Sequence, residues 1–347
     1  MDVRIHICNS NADSVSGHVV LACETQVDIA TVAIKLSGSA ISRVHSRRLS
    51  ESHQLFGTSE QLFPPNKCAS AFTSRSVTLP PGERVFSFSI QFPNSHHLMR
   101  NLPPSTGDKS SPEEIKYVLE ATVQQDGLIR RTRKATRDVK FYPISTITLP
   151  PEGQQVQTKM KRITYHAKGS SCEVSATLLN GSFLFLGQAI PLAVEVTNTN
   201  QSSNDIFLLD FQSMLFETTE VRAQGAAESV TRAWMVQTIA NLQQPFVPEF
   251  RNDETVCVVN NNLWSRHNVP LFLTPAFETC NISRRYKLEI RLGIGFAGNN
   301  VRIVEFQFPV YIVSPGLSAG SSTIEMEMQA PEYCEKEVLE KLEFEGL

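Results

Sequence analysis

A basic stretch after Gly127 contains the side chains best suited to bind an anion. It holds six cationic residues: Arg130, Arg131, Arg133, Lys134, Arg137 and Lys140. If this stretch is a β-strand, alternate residues point to one face, and Arg131, Arg133 and Arg137 lie side by side. Guanidinium groups bind phosphate and carboxylate oxygens through paired hydrogen bonds. The spacing therefore predicts a face for phosphate clusters, carboxylate clusters or acidic lipid headgroups; the alternative is a solvated strand face.

The histidines and glycines form no recognisable catalytic or metal-binding motif. No two histidines have the spacing of a helical metal site, and His96-His97 lies between prolines in a segment typical of the surface. Gly293–Gly298 is glycine-rich, but it stands between two predicted strands, so we interpret it as a hairpin turn rather than a phosphate-binding loop. We expect no catalytic residue, cofactor or metal. A sandwich enzyme or ligand-binding module with a site on its loops is the more distant alternative.

Charge and composition narrow the class of protein further. The chain of 347 residues has a net charge of −3, but residues 317–347 contain eight Glu and two Lys, which leaves a mildly basic body and an acidic tail. A nucleic-acid binder would be far more basic. No apolar run approaches the roughly 20 residues of a membrane-spanning helix. Apolar and polar residues alternate from the N-terminus onward, whereas a signal peptide has a basic start and an unbroken apolar stretch. Seven scattered cysteines without Cys-x-x-Cys favour reduced thiols, so we expect a cytoplasmic protein.

Most of the chain is predicted to form short strands. Residues 85–92 alternate strictly and place Phe86, Phe88, Ile90 and Phe92 on one face, which is typical of a half-buried strand. Residues 226–242 fit either a strand or a helix, and their strand-rich surroundings favour a strand. Many short strands with turn residues between them indicate an all-β protein built from sandwiches.

The chain also contains a weak internal repeat. Leu102-Pro103-Pro104-Ser105 precedes Tyr117-Val118-Leu119-Glu120, and Leu273-Thr274-Pro275-Ala276 precedes Tyr286-Lys287-Leu288-Glu289. Two related segments about 170 residues apart predict two related domains in tandem. A proline-rich connector near residues 142–153 separates them. We therefore predict domains at 1–150 and 151–316, followed by a tail at 317–347 whose apolar spacing fits a short acidic helix.

These motifs resemble the arrestin family, and more specifically its alpha-arrestin, or arrestin-domain-containing, branch. Val15-Ser16-Gly17-His18-Val19-Val20-Leu21 followed by Ile34-Lys35-Leu36-Ser37-Gly38 is similar to that branch's opening, V-S-G-x-V-x-L and I-x-L-x-G. The proline turns before the two Tyr-x-Leu strands and the end at Pro309–Val313 are also similar. The resemblance implies two tandem arrestin-type, immunoglobulin-like β-sandwiches that act as a scaffold without catalysis.

The resemblance also gives the tail a candidate role. Longer alpha-arrestins carry Pro-Pro-x-Tyr motifs that dock on WW domains of HECT-type ubiquitin ligases. This chain has Ala330-Pro331-Glu332-Tyr333, with one proline missing. WW grooves read an extended proline segment, so Pro331 and Tyr333 are candidate ligase-docking residues. The alternative is that Pro331 starts the tail helix and Tyr333 packs against the body.

The resemblance predicts an adaptor that binds cytoplasmic segments of membrane transporters or receptors. It would be cytoplasmic, recruited to the plasma membrane or endosomes, and would link its cargo to the ligase for ubiquitination and endocytosis. Arg131, Arg133 and Arg137 would bind the cargo, its phosphates or acidic lipids. Other basic segments, at 43–48 and 159–162, are similar candidates. The runner-up is a retromer-like coat or cargo-sorting subunit with the same double sandwich and no ligase recruitment.

Overall fold

The structure is a computed structural model, and it describes nine segments of the chain. These are residues 1–64, 76–93, 102–126, 131–143, 159–167, 170–198, 206–251, 254–296 and 300–314. The described residues belong to one compact unit, Met1–Gly316. The tail and most of the predicted connector at 142–153 lie outside the described residues, so the domain boundaries and the tail helix stay predictions.

Regular structure in the described segments is strand, apart from two single 3-10 turns at His45–Arg47 and Asn261–Leu263. The prediction of an all-β sandwich protein is confirmed. The first group of strands is β1 (Asp2–Ser10), β2 (Ser14–Cys23), β3 (Val27–Val44), β4 (Leu49–Phe63), β5 (Val77–Leu79), β6 (Gly82–Gln91), β7 (Thr106–Gly107), β8 (Glu113–Gln125) and β9 (Thr132–Val139).

These nine strands form two facing sheets, which we call the first sandwich. One sheet has the order β1-β2-β6. The other has the order β4-β3-β8-β7, with β5 paired to β3 and β9 paired to β8. Phe88, Ile90 and Phe92 are buried between the sheets, whereas Val85 is exposed, as the alternation predicts. The two sheets share one apolar core around Tyr117 and Leu119.

The second group of strands forms the second sandwich. Its strands are β10 (Lys159–Ala167), β11 (Ser170–Leu178), β12 (Phe183–Phe185), β13 (Leu192–Asn198), β14 (Phe207–Ala223), β15 (Ala226–Ile239), β16 (Gln244–Pro245), β17 (Val247–Arg251), β18 (Glu254–Val258), β19 (Phe277–Glu278), β20 (Ile282–Phe296) and β21 (Asn300–Val313). One sheet has the order β10-β11-β13-β18-β17 and the other β12-β21-β20-β14-β15, with β16 on β14 and β19 on β20.

Two sequence expectations are decided in the second sandwich. Residues 226–239 form β15, so the strand interpretation is confirmed and the helical alternative is wrong. The expected turn at Gly293–Gly298 is wrong in its first half, because β20 continues through Gly293 and Gly295. The glycines are needed for packing: a Cβ on Gly293 would lie 2.8 Å from the Asp210 carboxylate and one on Gly295 would lie 3.0 Å from Leu209.

The internal repeat has a structural counterpart in two buried tyrosines. The Tyr117 hydroxyl donates to the carbonyl oxygen of Pro103 over 2.6 Å. The Tyr286 hydroxyl donates to the carbonyl oxygen of Thr274 over the same distance. Both acceptors are the residue that follows the leucine of the repeated turn. Each tyrosine thus fastens the preceding loop to its strand, as in the tyrosine corners of immunoglobulin-like sandwiches.

The hairpin β14–β15 joins the two sandwiches. Val221, Ala223 and Ala226 from this hairpin, with Ile282 of β20, belong to the apolar core of the first sandwich. Beside them, Asn281 Nδ2 donates to Ala40 O over 3.1 Å and to Ser42 Oγ over 3.0 Å. These residues are buried, so the contact between the sandwiches combines apolar packing with satisfied hydrogen bonds.

Candidate functional site: a cationic cleft beside a buried ionic cluster

The two faces of β9 have different electrostatic surroundings. On the outer face, Lys134 Nζ lies 2.9 Å from Glu120 and Asp138 lies 3.0 Å from Lys116 Nζ. Arg133 and Arg137 pair with Val123 and Leu119 of β8, whose side chains point to the core. Because directly opposed residues share a face, both arginines point to the core side of the sheet, at its open edge.

This open edge forms one wall of a cleft of about 380 Å³ between β9 and β1. On the β1 side the cleft is lined by Val3, Arg4, Ile5, His6 and Ile7, and on the β9 side by Ala135, Thr136 and Arg137. In the described part of the chain, β1 pairs only with β2 and β9 pairs only with β8. Both facing strand edges therefore carry main-chain donors and acceptors that no sheet partner uses.

The cations around this cleft are not equivalent. Arg4 lies 2.7 Å from Glu83 and 3.3 Å from Asp2, so nearby carboxylates neutralise it. Arg133 and Arg137 are exposed and have no carboxylate partner among the described residues. Arg131 precedes β9, is exposed, and its carbonyl accepts from the Gln125 main-chain N–H over 2.8 Å. The structure thus brings the predicted arginines together on one edge, and their binding role stays a prediction.

Each of the other two basic segments contains one arginine that pairs with a carboxylate. Arg43 forms an ion pair with Glu114 and donates to Asp108 O over 3.0 Å, which holds the loop after β7 against β3. Arg162 lies 3.2 Å from Glu173 on the neighbouring strand. The candidate ligase-docking residues Pro331 and Tyr333 lie outside the described residues.

A buried ionic cluster between the sandwiches was not identified from the sequence. Arg284 Nη2 of β20 lies 2.6 Å from Glu113 Oε1 of β8, and its Nε lies 3.6 Å from Glu217 Oε1 of β14. Arg232 of β15 lies 3.4 Å from the same Glu217 oxygen, and the Tyr286 hydroxyl lies 3.1 Å from the other. Burial, followed by the charge of Glu217, raises the pKa of Tyr286, so its hydroxyl stays a donor at neutral pH.

Strand alternation contains the signal for this cluster. Arg284 shares its face of β20 with Tyr286, Leu288 and Ile290, which are all buried. Glu113 shares its face of β8 with Ile115 and Tyr117 in the same way. A charged residue in register with core positions indicates a buried charge, and a buried charge requires a partner of opposite sign.

Two carboxylates on the contact between the sandwiches accept main-chain hydrogen bonds. The Gln224 N–H donates to Glu51 Oε2 over 2.6 Å and lowers the pKa of Glu51. The Ser46 N–H donates to Glu228 Oε2 over 3.1 Å and lowers the pKa of Glu228. Each bond joins the first sandwich to the β14–β15 hairpin, so the ionised carboxylates help to hold the two together.

Within the nine described segments, no group of three or more His, Cys, Asp or Glu side chains is placed to hold a metal ion. No helix in those segments is both long and apolar enough to cross a membrane.

Comparison with known proteins found a family model that matches the first sandwich. Residues 2–142 match the family model described as Arrestin (or S-antigen), N-terminal domain. The matched range starts at the first residue of β1 and ends just beyond β9, so it contains both walls of the cationic cleft. A search of curated proteins returned no match to this chain. Residues 2–142 are thus similar to an arrestin N-terminal domain.

Proposed function

We propose that this protein is a non-enzymatic trafficking adaptor of the arrestin type, which binds a cytoplasmic segment of a membrane transporter or receptor. The observation that carries the proposal is the pair Arg133 and Arg137, which are exposed at the open edge of β9 and have no carboxylate partner within the nine described segments. Arg137 lines the cleft of about 380 Å³ between β1 and β9, and among the described strands the facing edges of β1 and β9 have no sheet partner.

The cleft supports binding through two contributions. An extended cargo segment lying along β1 or β9 would form main-chain hydrogen bonds with a free strand edge, which supply affinity with little sequence preference. The guanidinium groups of Arg133 and Arg137 would then select cargo that carries phosphates or clustered carboxylates. Because both arginines are exposed, binding should weaken when salt is raised well above about 0.15 M, where the Debye length is near 8 Å.

Peptide binding by matched variants tests the cleft. The ligand is a fluorescein-labelled twelve-residue peptide with three phosphoserines, and its unphosphorylated form is the reference. The variant Arg133→Gln/Arg137→Gln should bind the phosphopeptide about tenfold or more weakly, since it loses two charge-assisted contacts. Lys134→Gln removes a charge from the same strand but from the opposite face, where Lys134 pairs with Glu120, and should leave binding unchanged.

Equal losses in the two variants would show that net charge, rather than the cleft, controls binding. If the wild type and Lys134→Gln bind vesicles with anionic lipid, Arg133→Gln/Arg137→Gln does not, and none binds the phosphopeptide, the arginines would be assigned to a membrane surface instead. Either result would contradict the cargo proposal.

We further propose that the tail recruits a HECT-type ubiquitin ligase through Pro331 and Tyr333, so that bound cargo is ubiquitinated and internalised at the plasma membrane or endosomes. The support is the tail sequence Ala330-Pro331-Glu332-Tyr333 and its acidic surroundings. A peptide of residues 325–341 should bind a WW domain of such a ligase at micromolar concentrations, and Tyr333→Ala should abolish binding. No binding would instead favour the coat or cargo-sorting subunit.

A further inference from the structure

A second cleft, of about 230 Å³, opens between the two sandwiches and is separate from the β1–β9 cleft. Strand β15 contributes Arg232 and Trp234 to its wall, and the segment before β19 contributes Phe272. Thr106, Gly107 and Glu113 of the first sandwich form the opposite wall. A cavity of roughly 150 Å³ in an engineered protein core holds benzene, so this cleft has space for one aromatic or branched aliphatic side chain.

Strand β15 places two hydrogen-bond donors in this cleft, the Arg232 guanidinium and the Trp234 indole N–H, and both have N–H groups that can bind a ligand. Arg232 is 47% exposed, and its only carboxylate in the described part of the chain, Glu217, is shared with Arg284 and the Tyr286 hydroxyl. A guanidinium group has five N–H donors, so most of those on Arg232 remain available. The Trp234 indole N–H is buried and has no acceptor among the described residues. These groups complement a ligand that carries acceptor oxygens and negative charge.

The rim of the cleft is apolar. Phe272 is 68% exposed and its neighbour Leu271 is 70% exposed. The Phe272 ring meets the Trp234 ring edge to face, with centroids 5.1 Å apart. An apolar ligand side chain placed here would cover both rings and remove exposed apolar surface from water.

Strand β15 can also supply main-chain contacts to a ligand. It is the terminal strand of its sheet and is 14 residues long. Ala226–Ile239 contains neither proline nor lysine, two residues that natural edge strands use to prevent further pairing. An extended segment of another protein can therefore add to this edge through backbone hydrogen bonds.

We propose that β15 and this cleft bind an extended segment of a partner protein in which an apolar residue and an acidic residue are separated by one position. The spacing follows from β15, because Arg232 and Trp234 are two residues apart and share a face. Residues opposite them in an added strand are also two apart and share that face. The apolar residue enters the cleft beside Trp234 and Phe272, and the acidic residue accepts from Arg232.

Fluorescence anisotropy with designed peptides tests the site. The probe is a fluorescein-labelled decapeptide of serine and threonine that carries one Phe-Thr-Glu step, and the reference peptides carry Phe-Thr-Gln or Ser-Thr-Glu. The full chain should prefer the first peptide by about tenfold, since a charge-assisted hydrogen bond contributes that much. Arg232→Gln should remove the preference for Glu over Gln, and Arg232→Lys should restore part of it.

Two further variants separate the site from general effects. Trp234→Phe keeps an aromatic ring but loses the indole N–H, and should weaken binding of the Phe-Thr-Glu peptide several-fold. Arg285→Gln removes an exposed charge from the opposite face of β20 and should leave binding unchanged. Arg133→Gln/Arg137→Gln should also leave it unchanged, so failure here and failure of the cargo cleft are distinguishable.

Three results would overturn the proposal: no binding of the Phe-Thr-Glu peptide at 1 mM, equal binding of all three peptides, or an unchanged peptide preference in Arg232→Gln. Concentration-dependent dimerisation that Trp234→Phe or Arg232→Gln prevents would also overturn it, because the edge would then pair with a second copy of the chain.

Discussion

Arg284 of the second sandwich and Glu113 of the first form an ion pair with 2.6 Å between nitrogen and oxygen, and each side chain is only 3% exposed. The two residues are 171 positions apart in the chain. Thr106 and Thr219 also accept hydrogen bonds from this guanidinium, over 3.2 and 3.3 Å. The pair therefore joins the two sandwiches, because the buried guanidinium of one and the buried carboxylate of the other neutralise each other.

Removing one partner of this pair should destabilise the protein strongly. Glu113→Gln leaves Arg284 with a weakened partner, and Arg284→Met leaves Glu113 buried without a cation. Each change should lower the free energy of unfolding by about 3–5 kcal/mol, the usual cost of an unpaired buried charge. The double variant Glu113→Gln/Arg284→Met should cost less than the sum. Urea unfolding of the four proteins measures the coupling, and strictly additive losses would contradict it.

Both corner tyrosines should contribute to stability through their hydroxyl groups. Tyr117→Phe leaves the Pro103 carbonyl without its donor, and Tyr286→Phe removes the single O–H that the Thr274 carbonyl and the Glu217 carboxylate share. Each should cost about 1–3 kcal/mol, with the larger loss for Tyr286→Phe because a carboxylate is affected. Tyr142→Phe changes an exposed ring and is the control. Thermal unfolding midpoints equal to that control would show that neither hydroxyl is needed.

The two glycines of the opening motif should resist substitution for different reasons. A Cβ on Gly17 would lie 2.0 Å from the His6 carbonyl oxygen, so β1 itself would have to move. A Cβ on Gly38 would lie 2.8 Å from the rings of Phe56 and Tyr117. Gly17→Ala and Gly38→Ala should each cost about 1–3 kcal/mol, as overpacking does. A Cβ on Gly57 meets the movable ends of the Gln54 and Lys35 side chains rather than backbone or a ring, so Gly57→Ala should cost less in the same denaturation experiment.

Acid should weaken the contact between the sandwiches. Main-chain hydrogen bonds from Gln224 and Ser46 lower the pKa values of Glu51 and Glu228 below the ordinary 4.5. A carboxylate with a lowered folded-state pKa stabilises the fold above its unfolded pKa and loses that contribution as pH falls through the folded value. The thermal midpoint of the wild type should therefore drop between pH 6.5 and pH 3.5.

Glutamine substitution isolates these two groups from other titrating carboxylates. Glu51→Gln/Glu228→Gln should show a smaller drop over the same pH interval, because its amides do not titrate. The adjacent histidines, His53 and His45, contribute to the shifts and remain in both proteins. Glu60→Gln, an exposed change on β4, should behave as the wild type. An identical pH profile for the double variant would show that these bonds do not hold the interface.

Local patterns in the sequence were enough to predict the class of fold and the buried face of residues 85–92. Alternation in residues 85–92 predicted which side chains are buried, since the period of two is a local property of an extended backbone. The repeated turn and Tyr-x-Leu segments predicted a duplication, and in both segments the tyrosine hydroxyl donates to the residue after the turn's leucine. Alternation also placed Arg133 and Arg137 on one face of a strand before the neighbours of that strand were known.

The packing of the strands determines which basic side chains have a carboxylate partner. Arg4, Arg43 and Arg162 have carboxylate partners supplied by other strands, whereas Arg133 and Arg137 lie at a sheet edge with no such partner in the described part of the chain. The cleft around Trp234 likewise depends on two sandwiches meeting. Pairing between residues as distant in the chain as Arg284 and Glu113, 171 positions apart, follows from how whole sheets pack, and no local period in the sequence encodes that.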